Sequence, residues 1–203
     1  MLISEPAPPS KTGIDALVNL DDLIAFVDVL ERYNIAYALV GGVALMVTTD
    51  EARPTEDFDF ICDAKQLDKL PDIEVISSDR NFARYQWHGI TIDALLTSNK
   101  VFKTVVENYS AHYEIGGKQI SSISADGLFL LKIYALPSLY RQGQLARADI
   151  YEADLVRLLR RNPQINEAAL LNYLGTLLEK SQVSELTTIV SEARAKIVRN
   201  RFL

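Results

Sequence analysis

With 203 residues, the chain is long enough to bury a real core in one compact domain with an appendage. Hydrophobic residues make up 48% and charged residues 24%, ordinary globular usage that excludes a disordered or fibrous chain. The net charge of −6 argues against a surface coated for nucleic acid, and it is unevenly spread: 124–203 carries 11 Lys and Arg against 8 Asp and Glu, leaving 10 against 19 for 1–123.

The start of the chain places acidic Glu5 and Pro6, Pro8 and Pro9 where a secretory signal needs an apolar stretch. No apolar run reaches membrane-spanning length. Cys62 is the single cysteine, so no internal disulfide is possible and a reducing cytoplasm is the expected location, with no membrane partner. With only His88 and His112 beside it, no zinc spacing arises, and Cys62 reads as a small core residue.

Leu20, Leu23, Ile24, Val27 and Leu30 recur at helical spacing behind Asn19 as N-cap, which predicts a first amphipathic helix ending at Asn34. Residues 35–40 form an apolar run of strand length, followed by Gly41 and Gly42 and a helical stretch over 43–47. Short strands are predicted over 58–61 and 73–76, then a pair over 84–88 and 90–96 turned at Gly89. A late hairpin is predicted over 113–115 and 119–123, joined through Gly116 and Gly117. From Ser124 the pattern is helical: one helix through Leu128, Leu131, Lys132 and Ala135 stopped by Pro137, a loop over 137–147, then helices over 150–161, 167–180 and 185–199. The reading is α/β (α+β), with a mixed sheet followed by a helical bundle. It divides into a lobe over 1–123, of which 1–18 is a flexible start, and a helical lobe over 124–203.

Three segments carry chemistry when taken together. In a strand alternate residues point the same way, so Asp57 and Asp59 present two carboxylates to one side while Phe58 and Phe60 face the other. Two like charges so close are a poor structural choice unless a hard cation compensates them. Asp93, within the apolar run Ile92-Asp93-Ala94-Leu95, supplies a third carboxylate. Gly41 and Gly42 allow close backbone approach to a phosphate, with the amides of the following helix start as donors. Each signal alone has a bland explanation: a tight turn for the glycines, a solvent-facing edge strand for Asp-Phe-Asp.

Val40-Gly41-Gly42, then Arg53-Pro54-Thr55-Glu56-Asp57-Phe58-Asp59, then Asp93 resembles the nucleotidyltransferase superfamily, most of all its abortive-infection and toxin-antitoxin branch. The 14 residues of 43–56 between the glycine pair and Asp57 are slightly more than that pattern has, an excess that a loop over 48–52 absorbs. The resemblance implies a nucleotidyltransferase-type mixed sheet flanked by helices with a helical bundle appended. It implies Asp57, Asp59 and Asp93 as catalytic ligands of Mg²⁺ or Mn²⁺, and Gly41, Gly42, Arg53, Thr55, Lys132 and Asp154 around a nucleoside triphosphate. Lys132 would touch the triphosphate and Asp154, in preference to Asp149, would orient it. The implied activity is transfer of a nucleotidyl group to an acceptor hydroxyl with release of pyrophosphate. The acceptor would be RNA or tRNA, as for a toxin with an antitoxin protein as partner, or a small molecule of antibiotic type. A non-catalytic module that keeps the fold is the competing class, and its expected mark, a lost carboxylate, is missing here. Trp87 reads as core, with His88 and His112 on the surface.

Overall fold

The computed structural model describes residues 19–51, 55 and 57–199. The stretch 1–18 and Arg53 lie outside the described residues.

Helix α1 (Leu20–Arg32) begins at Asn19, whose side chain accepts from the Asp22 N–H. Its buried residues Leu23, Phe26, Val27 and Leu30 lie along one face. That face meets the sheet through Phe26, whose ring sits 5.4 Å from Phe60 and 5.2 Å from Trp87. Strand β1 (Tyr37–Leu39) leads directly into α2 (Gly41–Thr49), and β2 (Phe58–Cys62) follows. After the short α3 (Ala64–Leu67) come β3 (Ile73–Ser78), β4 (Phe82–Trp87) and β5 (Ile90–Leu96). Then α4 (Lys100–Tyr109) precedes the hairpin β6 (Ser110–Ile115) and β7 (Lys118–Ile123).

These strands form one seven-stranded sheet in the order β3-β4-β5-β2-β1-β7-β6. It is mixed: β2 runs parallel to β5 and β1 parallel to β7, while the remaining pairs are antiparallel. The predicted turn at Gly89 is present, with His88 and Gly89 both at positive φ, 47° and 84°, the pair of left-handed residues that a two-residue hairpin needs. Trp87 is in the core; His88 and His112 are exposed.

Helices α5 (Ala125–Arg141), α6 (Leu145–Arg161), α7 (Glu167–Leu174) and α8 (Lys180–Arg199) complete the chain. α2 packs on α5 and α6, and the buried apolar residues from Leu23 to Ile197 form one cluster. Several boundaries differ from the sequence reading. Pro137 does not stop α5 but sits buried inside it: a proline removes only one N–H and, this close to the C-terminus, the last turn closes regardless. The loop over 137–147 therefore shrinks to 142–144, with Gly143 at φ +68°, and α6 starts at Leu145 rather than at residue 150. Gly175 caps α7, which ends at Leu174 rather than 180, and α8 starts five residues earlier than expected. α4 is a helix beyond those predicted, with Asn99 as its N-cap and Val101, Phe102 and Val105 as its buried side. Among the described residues no helix is long and apolar enough to cross a membrane.

Candidate active site

Asp59 lies on β2 between Phe58 and Phe60, so its side chain leaves the sheet on the face opposite α1. The parallel register places Asp59 beside Asp93 of β5, and the antiparallel register places Asp93 beside Arg84 of β4. Cross-strand neighbours share a face, which puts two carboxylates and a guanidinium in one row. Arg84 grips Asp93 with a two-pronged fork, Nε to Oδ1 at 2.7 Å and Nη2 to Oδ2 at 2.6 Å. The same Nη2 lies 3.4 Å from Asp57 Oδ2, just before β2 begins. The Thr55 hydroxyl donates to the Asp57 carbonyl at 3.3 Å, within the approach to the strand.

Gly41 closes the row. A side chain here would collide with the carboxyl group of Asp59, and its φ of +67° is one that L-residues rarely adopt. The Gly42 N–H donates to the Asp59 carboxylate, while the Val40 N–H donates to the Asp59 carbonyl at 2.8 Å. The Asp59 carboxyl is pushed up to about 6: burial disfavours its charge first, Asp93 and then Asp57 add repulsion, and Lys132 and the Gly42 amide oppose the rise. Its side chain retains some contact with the cleft, so the environment is deep rather than sealed.

Lys132 faces this row from α5. It is 6% exposed, and its Nζ donates to Asp154 Oδ2 at 2.8 Å and lies 4.5 Å from the centroid of the Tyr151 ring. Asp154, fully buried on α6, also accepts from Arg157 Nη1 at 2.8 Å. Arg157 reaches on to Glu51 at 3.7 Å, which Arg160 and Arg161 hold at 2.5 and 3.0 Å. Burial works to raise the Glu51 carboxyl, but the hydrogen bonds from Arg160 and Arg161 outweigh it and hold the group below its ordinary value. A chain of charges thus runs from the residue at the end of α2 through α6 to Lys132.

Between the two walls is a cleft of about 700 Å³, within the range of small-molecule sites. Gly41, Asp59, Arg84 and Asp93 line the sheet side, and Lys132 and Tyr151 the helical side. Of the residues expected at the site, Gly41, Asp59, Asp93 and Lys132 share this cleft, Gly42 is buried beside Asp59, Asp57 and Thr55 stand at the entry to β2, and Asp154 stands behind Lys132. Asp149 is exposed on α6. Arg84 is the residue that the sequence reading missed, although the Gly89 hairpin already pairs it with Asp93.

Asp57, Asp59 and Asp93 offer only carboxylate oxygens, the donors that a hard divalent cation such as Mg²⁺ or Mn²⁺ takes. The repulsion that Asp59 meets from Asp93 and Asp57 is what a cation relieves, and the adjacent pair Asp59 and Asp93 suits an ion that takes one or two carboxylates together with substrate phosphate. Among the described residues no three His, Cys, Asp or Glu side chains are gathered as a metal cage, and the positive charge beside Asp93 and Asp57 is Arg84.

No protein-family model and no curated protein matches the chain. Solved structures do. The solution structure of the antibiotic-resistance factor ANT(2'')-Ia aligns with a TM-score of 0.53 at 11% identity, covering 91% of this chain and 97% of that one. The crystal structure of ANT(2'')-Ia in complex with adenylyl-2''-tobramycin gives 0.51 at 10% identity over 88% and 98%. An antigenic nucleotidyltransferase-like protein from Paracoccidioides brasiliensis gives 0.49 at 17% identity over 85% and 92%. At such identities the similarity is one of fold. The chain has a nucleotidyltransferase-type fold, a mixed sheet flanked by helices, along most of its length.

Proposed function

We propose that the cleft binds a nucleoside triphosphate and transfers its nucleotidyl group to an acceptor hydroxyl, releasing pyrophosphate. The observation that carries this reading is the pair Asp59 and Asp93 beside the Gly41 turn, with Asp57 just ahead of β2, facing a lysine held by a buried aspartate across one cleft. A fold similar to that of ANT(2'')-Ia supports it.

Asp57, Asp59 and Asp93 would hold Mg²⁺ or Mn²⁺, which supplies charge neutralisation and alignment of the phosphates. The chain's own residues do the rest. Gly41, lacking a side chain, lets the phosphates approach, and its neighbouring amides face them. The acceptor oxygen forms a bond to the α-phosphorus as the bond to the leaving pyrophosphate breaks. Asp93 receives the hydroxyl proton, and Lys132 meets the charge that builds on the pyrophosphate, its ammonium kept in place by Asp154. Arg53 and Thr55, which precede β2 in the chain, would add phosphate contacts.

RNA or tRNA is the acceptor that we favour, since the cleft beyond the carboxylates is lined by Arg141 and Arg147, a setting for a polyanion. In that reading the protein is a toxin, with an antitoxin protein as its partner. The second reading is a small-molecule acceptor, and the observation favouring it is the adenylyl-2''-tobramycin complex of ANT(2'')-Ia.

Triphosphate binding should require divalent metal, because three carboxylates otherwise repel the phosphates. Calorimetric titration with a nucleoside triphosphate, in Mg²⁺ and in chelator, checks this. Equal affinity in the two buffers rules out the metal-bridged site.

A further inference from the structure

Arg84 is on the wrong side of the ledger for a site that is to hold divalent cations. Its fork occupies both oxygens of Asp93, at 2.7 and 2.6 Å, and its Nη2 also reaches Asp57 at 3.4 Å. The fork takes one lone pair on each oxygen, and its positive charge, this close, repels an incoming cation. Yet 48% of the side chain is exposed and it lines the cleft, so it can swing without disturbing the core. A guanidinium fork fits a phosphate as well as it fits a carboxylate.

We infer that Arg84 is a resident counter-ion that closes the carboxylate row to metal until a triphosphate draws its fork away from Asp93. The inference rests on the functional reading above. In the resting protein Arg84 pairs with Asp93 and reaches Asp57, which offsets part of the repulsion that Asp59 meets from both. When phosphate oxygens enter between β4 and α5, the fork exchanges one anion for another, and Asp93 becomes available beside Asp59. Metal alone then binds weakly, metal with nucleotide binds well, and by thermodynamic reciprocity each raises the affinity for the other. Arg84 is in this sense a positioning residue: it acts on the metal through Asp93.

The test is titration of the full chain with Mn²⁺ alone, followed through the electron paramagnetic resonance of the free ion. It compares the wild type with Arg84→Gln, Arg84→Lys and Arg141→Gln. Arg84→Gln removes the fork and the charge and should tighten Mn²⁺ binding by about tenfold or more. Arg84→Lys keeps a charge without the two-pronged grip and should fall between; it also serves if the Gln variant folds poorly, as judged by circular dichroism. Arg141→Gln removes an equal charge at the end of α5 and should leave Mn²⁺ affinity close to that of the wild type. Unchanged binding in Arg84→Gln overturns the inference and leaves the carboxylate site standing, as does equal tightening in Arg141→Gln. Absence of Mn²⁺ binding in every protein overturns both this inference and the functional reading beneath it.

Discussion

Asp59 sits where its charge is disfavoured, and that has a measurable consequence for stability. Its carboxyl is pushed up to about 6 by burial and then by Asp93 and Asp57, against 3.8 in an unperturbed chain. An acid with a raised folded value binds more protons folded than unfolded across that window, so stability falls as pH rises from about 4 to about 6. Asp59→Asn should remove this component: the variant should be more stable than the wild type at pH 7, by at most about 3 kcal/mol, with the difference vanishing near pH 4. Urea unfolding across pH 4 to 8 checks it, and a difference independent of pH would contradict the assigned cause. The placement of Asp59, Asp93 and Gly41 was legible in the sequence because strand alternation and a strand-glycine-helix order are local patterns, whereas Asp57 lies ahead of β2 rather than within its alternation. Arg84 was not read as part of the site because its role comes from pairing across strands, which only the register of β4 with β5 reveals.

At the scale of elements, α5 and α6 are joined by Lys132, Asp154 and Arg157, a buried cluster in which one carboxylate serves two cations. Asp154→Ala should cost about 3–5 kcal/mol, since it strips Lys132 of its anion in a nearly water-free place. Lys132→Met should cost less, because Asp154 keeps Arg157 and the methionine fills the space against Tyr151. Chemical denaturation ranks the two, and the opposite order would show that Lys132, rather than Asp154, organises the pair. A lysine amid Leu130, Leu131, Ile133 and Tyr134 must snorkel or find a partner; the family resemblance, not the local pattern, points to Asp154, and the course of α5 and α6 was not legible. Pro137 reads as a stop, but the packing that buries it inside α5 outweighs its missing N–H. For α4 both signals are present in the sequence, the Asn99 cap and the apolar stripe Val101, Phe102, Val105 and Val106, so this helix was legible.

The molecule as a whole sets a carboxylate-bearing sheet against a helical wall that supplies the lysine, and the chemistry proposed here needs both. The mixed character of the sheet was legible from the succession of strand lengths and turns. Its order, with β2 between β1 and β5, was not, because non-adjacent pairing depends on how the β3-β4-β5 meander folds back. That order brings Asp59 beside Asp93 from 34 positions away in the chain. The central claim is that this row transfers a nucleotidyl group. The most direct test incubates the wild type, Asp57→Asn and Asp59→Asn with α-phosphate-labelled nucleoside triphosphates, Mg²⁺ and either total RNA or a panel of small hydroxyl-bearing molecules, and measures label covalently joined to the acceptor. Asparagine preserves volume while removing the charge, so all three proteins should fold. Wild type should label an acceptor only with metal present, and each variant should fall by on the order of 10²–10³ or more. Labelling at the wild-type rate by both variants would contradict the account.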